Sequence, residues 1–236
     1  MISPTPAKGS VSILTQAIEQ TLLSPVATSQ QFEELVDQCA KFQFFGTCVP
    51  PCWVSWLSNK IKERELKTRL VSVVGFPHGN SLSVTKAFEA EQLIRQGADE
   101  IDMVMNLHAL KEGQFVKVLS DLYQVRKATM GKVLKVIIET AVLTDEEKRT
   151  ASQLCVEAQA DFVKTCTGFQ GGGATVEDIL LIRSTIGEAA RIKASGGIRT
   201  QEVALELIKA GAQRLGTSSG HLIVKHVTIE PTTNSY

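Results

Sequence analysis

The stretch Asp161-Phe162-Val163-Lys164-Thr165-Cys166-Thr167-Gly168 runs from a turn through a short apolar run to a lysine, then into hydroxyl residues and glycine. Arg191-Ile192-Lys193-Ala194-Ser195-Gly196-Gly197 repeats the design. A lysine at the tip of a buried strand loses water, and desolvation lowers an amine's pKa. A second ammonium nearby lowers it further, and a neutral lysine is a nucleophile toward carbonyls. One such lysine is more simply a side chain snorkelling from a strand end into solvent. Two of them, each followed closely by glycine and small hydroxyl residues, point to a Schiff-base site.

Working outward from these two stretches, apolar strand-like runs alternate with amphipathic helical patterns along the whole chain. The runs lie near Ala17–Leu22, Phe44–Val49, Leu70–Gly75, Glu100–Met105, Val133–Glu139, Asp161–Thr165, Arg191–Ala194 and Gln213–Gly216. They are continuously apolar and rich in Val and Ile, as strands buried on both faces of a parallel sheet are. Helical patterns include Thr85–Gln96, Asp145–Gln159 with Thr144 as N-cap, and Gln201–Ala210 stopped by Gly211. Gly97-Ala98-Asp99, Gln159-Ala160-Asp161 and Gly211-Ala212-Gln213 recur as helix-to-strand turns. Eight strand–helix units predict a (β/α)8 TIM barrel, a single α/β domain over residues 1–227 with a polar, flexible tail at 228–236. The competing doubly wound open sheet is disfavoured because no Gly-x-Gly-x-x-Gly turn follows the first strand.

The bulk numbers narrow the function classes. The chain has 236 residues, 25 basic and 25 acidic, so its formal net charge of zero offers nothing to nucleic acid or an anionic membrane. No apolar stretch approaches the ~20 residues that span a bilayer. Residues 1–10 lack the apolar core of a secretory signal. The five cysteines, Cys39, Cys48, Cys52, Cys155 and Cys166, are odd in number and show no completed metal-ligand spacing. They read as reduced thiols of a cytoplasmic protein, with no metal site.

In a barrel the C-terminal ends of the strands form the active site. Here those ends carry Thr21, Cys48, His78, Asn80, Asp102, Asn106, Glu139, Lys164, Thr165, Thr167, Lys193, Ser195, Thr217, Ser218 and Ser219. Gly196-Gly197 follows the seventh strand and Gly216-Thr217-Ser218-Ser219-Gly220 the eighth, the two loops where barrels commonly bind phosphate. Arg199 adds charge there. Gly171-Gly172-Gly173 is no P-loop, since no Lys-Ser/Thr follows, and reads as a flexible turn.

Together these segments resemble the deoxyribose-phosphate aldolase family, class I aldolases on a TIM barrel. The matching stretches are Gly75–Gly79, Gly97–Val104, Lys135–Thr140, Asp161–Gly168, Lys193–Thr200 and Gly216–Gly220, in the family's order over nearly the whole chain. The resemblance implies cleavage of 2-deoxy-D-ribose 5-phosphate to D-glyceraldehyde 3-phosphate and acetaldehyde, with no metal or organic cofactor. Lys164 is then the nucleophile. Lys193 is a protonated neighbour that depresses the pKa of Lys164, and Asp102 pairs with Lys193 and passes protons. Thr167, Gly168, Gly196, Gly197, Gly216, Ser218 and Ser219 bind the phosphorylated substrate. A homo-oligomer such as a dimer is open, and the sequence does not give the oligomeric state. Two readings of the tail stay open: it does nothing, or, as some relatives also end in tyrosine, Tyr236 folds over the mouth and helps transfer a proton.

The chain departs from the family pattern at the Ile18-Glu19-Gln20-Thr21 opening, usually Ile-Asp-His-Thr. It also departs at Ser24, at His108 and at Cys166, which replaces a serine. Two other readings stay open. One is a different Schiff-base aldolase or lyase of phosphosugars on the same barrel. The other is a non-catalytic phosphosugar-binding barrel.

Overall fold

The computed structural model describes residues 8–225, with side chains from residue 13 onward. The tail at 228–236, and with it Tyr236, lies outside the described residues. The strands are β1 (Ile18–Thr21), β2 (Gly46–Val49), β3 (Arg69–Val74), β4 (Glu100–Val104), β5 (Val133–Ile137), β6 (Phe162–Lys164), β7 (Arg191–Ser195) and β8 (Arg214–Thr217). All pair in parallel in sequence order, and β8 returns to β1 with Ile18 opposite Leu215, closing the barrel. The predicted TIM barrel is the observed fold, and each predicted strand falls on an observed one.

Around the sheet run α1 (Lys8–Ala17), α2 (Ser29–Phe42), α3 (Val54–Glu63), α4 (Ser83–Arg95), α5 (Leu107–Lys111) and α6 (Phe115–Ala128). They continue with α7 (Asp145–Glu157), α8 (Val176–Ile186), α9 (Gln201–Lys209) and α10 (Gly220–Ile223). Among the described residues no helix is long and apolar enough to cross a membrane. Three of the loops that leave the mouth start their helices on a threonine cap. Thr144, Thr175 and Thr200 accept hydrogen bonds from the N–H groups of Glu147, Asp178 and Val203, satisfying donors that the helix leaves free.

At the opposite end the predicted helix-to-strand turns share one device. Asp99, Asp161 and Gln213 each accept a side-chain hydrogen bond from the preceding strand, from the N–H of Leu70, Leu134 and Ile192 respectively. Each also donates its own N–H to the carbonyl of that same residue. One residue thus clasps β3 to β4, one β5 to β6, and one β7 to β8.

Burial along the strands divides by face. Ile101, Met103, Val136, Val163, Ile192 and Ala194 join the apolar core shared with the helices. Between them stand Glu19, Asp102, Lys135, Lys164 and Lys193, all buried and all charged. The expectation of uniformly apolar strands therefore holds only for the outward face. Register explains how the charges meet: Asp102 lies opposite Lys135, and Lys164 opposite Lys193. A small apolar group of Cys48, Val71 and Val73, with Leu23 and Phe76 packed on it, fills the barrel on the β2–β3 side.

Candidate active site

The centre of the site is Asp102, on β4. Its Oδ2 accepts hydrogen bonds from Lys164 Nζ and Lys193 Nζ, each at 2.7 Å, and its Oδ1 accepts from Lys135 Nζ at 2.8 Å. Lys193 also donates to Glu19 Oε2. Lys135 lies 2.6 Å from Glu100 Oε2 and 3.4 Å from Glu19 Oε1. Below them Arg214 places its Nε 3.7 Å from Glu19 Oε1, with its guanidinium 3.2 Å from the centre of the Phe45 ring. The pairing of Asp102 with Lys193 was expected from the sequence. The same carboxylate's bonds to Lys164 and Lys135 were not.

The cluster holds its charges against the cost of burial. For Asp102, burial pushes the carboxyl up, but Lys135, Lys164 and Lys193 outweigh it and hold the group well below the usual carboxylate range. Glu19 is likewise lowered, by Lys135 and Lys193 against its own burial. Burial pulls the Lys193 amine down, yet Asp102 and Glu19 outweigh it and raise the group above its ordinary value. Lys135 is raised by Asp102, Glu19 and Glu100, again against burial. Both are ammonium ions at neutral pH.

Counting charges sets one lysine of the cluster apart. Lys135, Lys164, Lys193 and Arg214 face Glu19, Glu100 and Asp102, four cations to three carboxylates. Within this cluster Lys135 has three carboxylate neighbours, Lys193 two and Lys164 one. Lys164 is therefore the amine that can be withdrawn from the cluster at the smallest electrostatic cost.

Lys164 is also the lysine of the cluster that reaches open space. It lines a cavity of about 400 Å³ at the mouth, together with Thr167, Gly168, Ser195, Gly196, Gly197, Gly216, Thr217 and Ser218. The β1–α2 loop adds Leu22 and Ser24, and Phe169 and Arg199 complete the rim. Of the residues singled out for phosphate, Ser219 does not face this cavity; its N–H donates to Thr217 Oγ1 at 2.9 Å. Lys193 and Asp102 sit behind Lys164 rather than in the wall.

Glycines at the mouth allow close approach. A Cβ at Gly216 would stand 3.1 Å from Lys193 Cε and 3.0 Å from Ser195 Cβ, so Gly216 clears the path of the Lys193 side chain as well as lining the cavity. A Cβ at Gly173 would fall 2.5 Å from the Gly196 carbonyl oxygen. Ala174 N–H donates to that same oxygen at 3.1 Å. The Gly171-Gly172-Gly173 run is thus more than the flexible turn expected, because its last residue is packed against the loop after β7.

Several polar residues predicted for the mouth serve the scaffold instead. Asn106 caps α5 through the N–H of Ala109, and Thr165 exchanges hydrogen bonds with the backbone of Ser195. Both carboxylate oxygens of Glu139 accept from Thr167 N–H, at 3.2 and 3.1 Å, pinning the loop that follows Lys164. Cys166 Sγ lies 3.3 Å from Thr140 Oγ1, and burial pushes its thiol up. Sequence reasoning passed over Lys135, Glu100 and Arg214 and read Glu19 only as a departure. The available signal was alternation: Lys135 interrupts Val133-Leu134-Lys135-Val136-Ile137 as Lys193 interrupts its own strand.

Comparison with known proteins agrees with this geometry. Residues 15–226 match the model of the DeoC/LacD family aldolases. The chain is 49% identical over 216 residues to the deoxyribose-phosphate aldolase of Carboxydothermus hydrogenoformans, covering 90% of this chain and 94% of that one. It is 48% identical over 218 residues to deoxyribose-phosphate aldolase 1 of Bacillus licheniformis, covering 92% and 97%. Among solved structures it is similar to the deoxyribose phosphate aldolase of Aeropyrum pernix, at 31% identity and a TM-score of 0.85, covering 92% of each chain. The chain belongs to the DeoC/LacD family of aldolases.

Proposed function

We propose that the protein cleaves 2-deoxy-D-ribose 5-phosphate to D-glyceraldehyde 3-phosphate and acetaldehyde through a Schiff base on Lys164. The observation that carries this reading is one carboxylate oxygen, Asp102 Oδ2, shared by two lysines, of which one opens into a glycine-walled cavity. The named relatives are deoxyribose-phosphate aldolases, which supports the choice of substrate.

The neutral Lys164 amine adds to the C1 aldehyde of the open-chain sugar, and loss of water gives a protonated imine. A base removes the proton of the C3 hydroxyl. The C2–C3 bond then breaks, its electron pair moves toward the iminium nitrogen, and D-glyceraldehyde 3-phosphate leaves. The remaining enamine takes a proton at C2, and water releases acetaldehyde and the free amine. The iminium nitrogen is the electron sink, so the scheme runs without a metal or organic cofactor. Lys193 supplies a fixed positive charge beside Lys164, and Asp102 holds that charge and relays protons. Thr167, Gly168, Gly196, Gly197, Gly216, Ser218 and Ser219 form the phosphate side of the site, with Ser219 acting through the shape of its turn.

The test is reductive trapping. Borohydride with acetaldehyde should leave an ethyl group on Lys164, located by peptide mass. Lys164→Arg should abolish both trapping and cleavage, because arginine keeps the charge and is never neutral in a protein. Appreciable activity in that variant, or an ethyl group on Lys193 instead, would reject the assignment.

A further inference from the structure

Gln20, the third residue of β1, takes no part in the Schiff-base scheme, yet the residue is only 2% exposed and its amide is engaged at both ends. Its Oε1 accepts from Gly220 N–H at 2.9 Å. Its Nε2 donates to the Ser218 carbonyl at 3.0 Å and to Gln38 Oε1, on α2, at 2.7 Å. His221 Nδ1 lies 3.5 Å from the same nitrogen. A backbone N–H can only donate and a carbonyl only accept, so the partners fix which way the amide points.

One side chain therefore spans the Ser218-Ser219 turn, holding the carbonyl at its start and the N–H that follows it. Thr217 holds the third side, donating to the Ile198 carbonyl at 2.6 Å and accepting from Ser219 N–H. The fit is close: a Cβ at Gly220 would sit 2.4 Å from Gln20 Oε1 and 2.9 Å from Ile18 Cγ2. Gln38 buttresses the amide from outside the barrel. Only a planar amide offers this donor and acceptor on one short fork.

We propose that Gln20 is a positioning residue for the 5-phosphate. It holds the Ser218-Ser219 turn in the shape that presents its donors to the anion, and thereby sets the preference for phosphorylated over free sugar. The inference rests on the phosphate reading of this loop given above. It differs from that reading in assigning control to a residue of β1 that never touches the ligand.

The experiment compares kcat/KM for 2-deoxyribose 5-phosphate and for 2-deoxyribose, together with the inhibition constant of inorganic phosphate. Gln20→Met keeps the length and neutrality and removes both hydrogen-bonding functions. It should lower the ratio of the two kcat/KM values about tenfold, the worth of the hydrogen bonds lost. The change should enter through KM, and phosphate inhibition should weaken in parallel. Gln38→Ala, which leaves Gln20 in place and removes only its buttress, should lower the ratio about threefold. This second variant carries the test if the first does not fold. Equal losses for both sugars, or an unmoved ratio with unmoved phosphate inhibition, would overturn the proposal. The double variant Ser218→Ala/Ser219→Ala separates the two levels. If it lowers the ratio and neither glutamine variant does, Gln20 is a packing residue and the phosphate loop stands. If none of the three moves the ratio, the phosphate reading falls and this inference falls with it.

Discussion

Asp102 takes three lysine donors on two oxygens, so a change at any one of them is felt by the others. Lys193→Leu removes the cation that shares Asp102 Oδ2 with Lys164 and leaves Glu19 with one close lysine, Lys135. Activity at pH 7 should fall by about 10²-fold or more, the scale of a lost electrostatic contribution to the reacting centre. The optimum should move to higher pH, and an unchanged pH–rate profile would show that Lys193 does not tune Lys164. Lys135→Met leaves the buried Glu100 without its close ion-pair partner and takes one lysine from each of Asp102 and Glu19. It should cost about 3–5 kcal/mol of stability, as breaking a buried ion pair does, read from the urea midpoint. Lys164 and Lys193 stood out in the sequence because each ends an apolar run just before glycine and small hydroxyl residues, whereas Asp102 took its expected role from the family resemblance. Glu19 did not stand out, because its bond to Lys193 joins residues 174 positions apart, and only closure of the barrel brings them together.

The loops at the mouth behave as units because backbone groups hold them. The turn after β8 is fastened by Thr217 and Gln20, and the loop after β6 by Glu139 and by the seating of Gly173 on Gly196. Ser218→Asp with Ser219→Asp should raise KM for the 5-phosphate by about 10² or more through like-charge repulsion, while 2-deoxyribose suffers much less. Equal losses for the two sugars would place the phosphate elsewhere. The glycine run before α8 shows what sequence does not convey. Three consecutive glycines read as freedom, whereas the last of them is a contact required by a carbonyl from another loop. Capping was easier to foresee. Thr144 was predicted from a local rule, and the structure adds the return bond, in which Thr144 N–H donates to Glu147 Oε2 at 2.7 Å.

For the whole molecule, the buried titrating groups set two pH edges. Glu19 and Asp102 are lowered from ordinary values of 4.5 and 3.8, so the unfolded chain takes up their protons first as the pH falls. The stability they give is present above those values and drains away below them. On the alkaline side the buried thiols act before the lysines. Burial pushes Cys48 up to about 11 and Cys39 up to about 12 from an ordinary 9.0, so their contribution is complete below pH 9.0 and is lost as the pH rises. Lys135 and Lys193, raised from 10.5, follow later. Urea midpoints measured from pH 3 to 11 should therefore give a plateau that slopes down from about pH 9, earlier than lysine alone would cause. A thiol reagent at pH 8 should label Cys52 in the folded protein and all five cysteines after denaturation. The barrel itself was legible because its strands and turns recur at regular spacing. The charged interior was not, because an apolar run does not reveal which of its residues will face inward.

The clasps made by Asp99, Asp161 and Gln213 fall on alternate junctions, tying β3 to β4, β5 to β6 and β7 to β8. Six of the eight strands are thus fastened in pairs, and covalent continuity matters more inside a pair than between pairs. A break after Glu188, in the exposed turn between β6 and β7, leaves both neighbouring clasps whole. Co-expressed fragments 1–188 and 189–236 should reassociate into an active barrel. A break after Gly97 opens the turn that carries the Asp99 clasp, where even a Cβ would collide with Ser58 Oγ at 2.2 Å, and those fragments should not reassemble. The chain therefore carries its own marks for where it can be cut and rejoined.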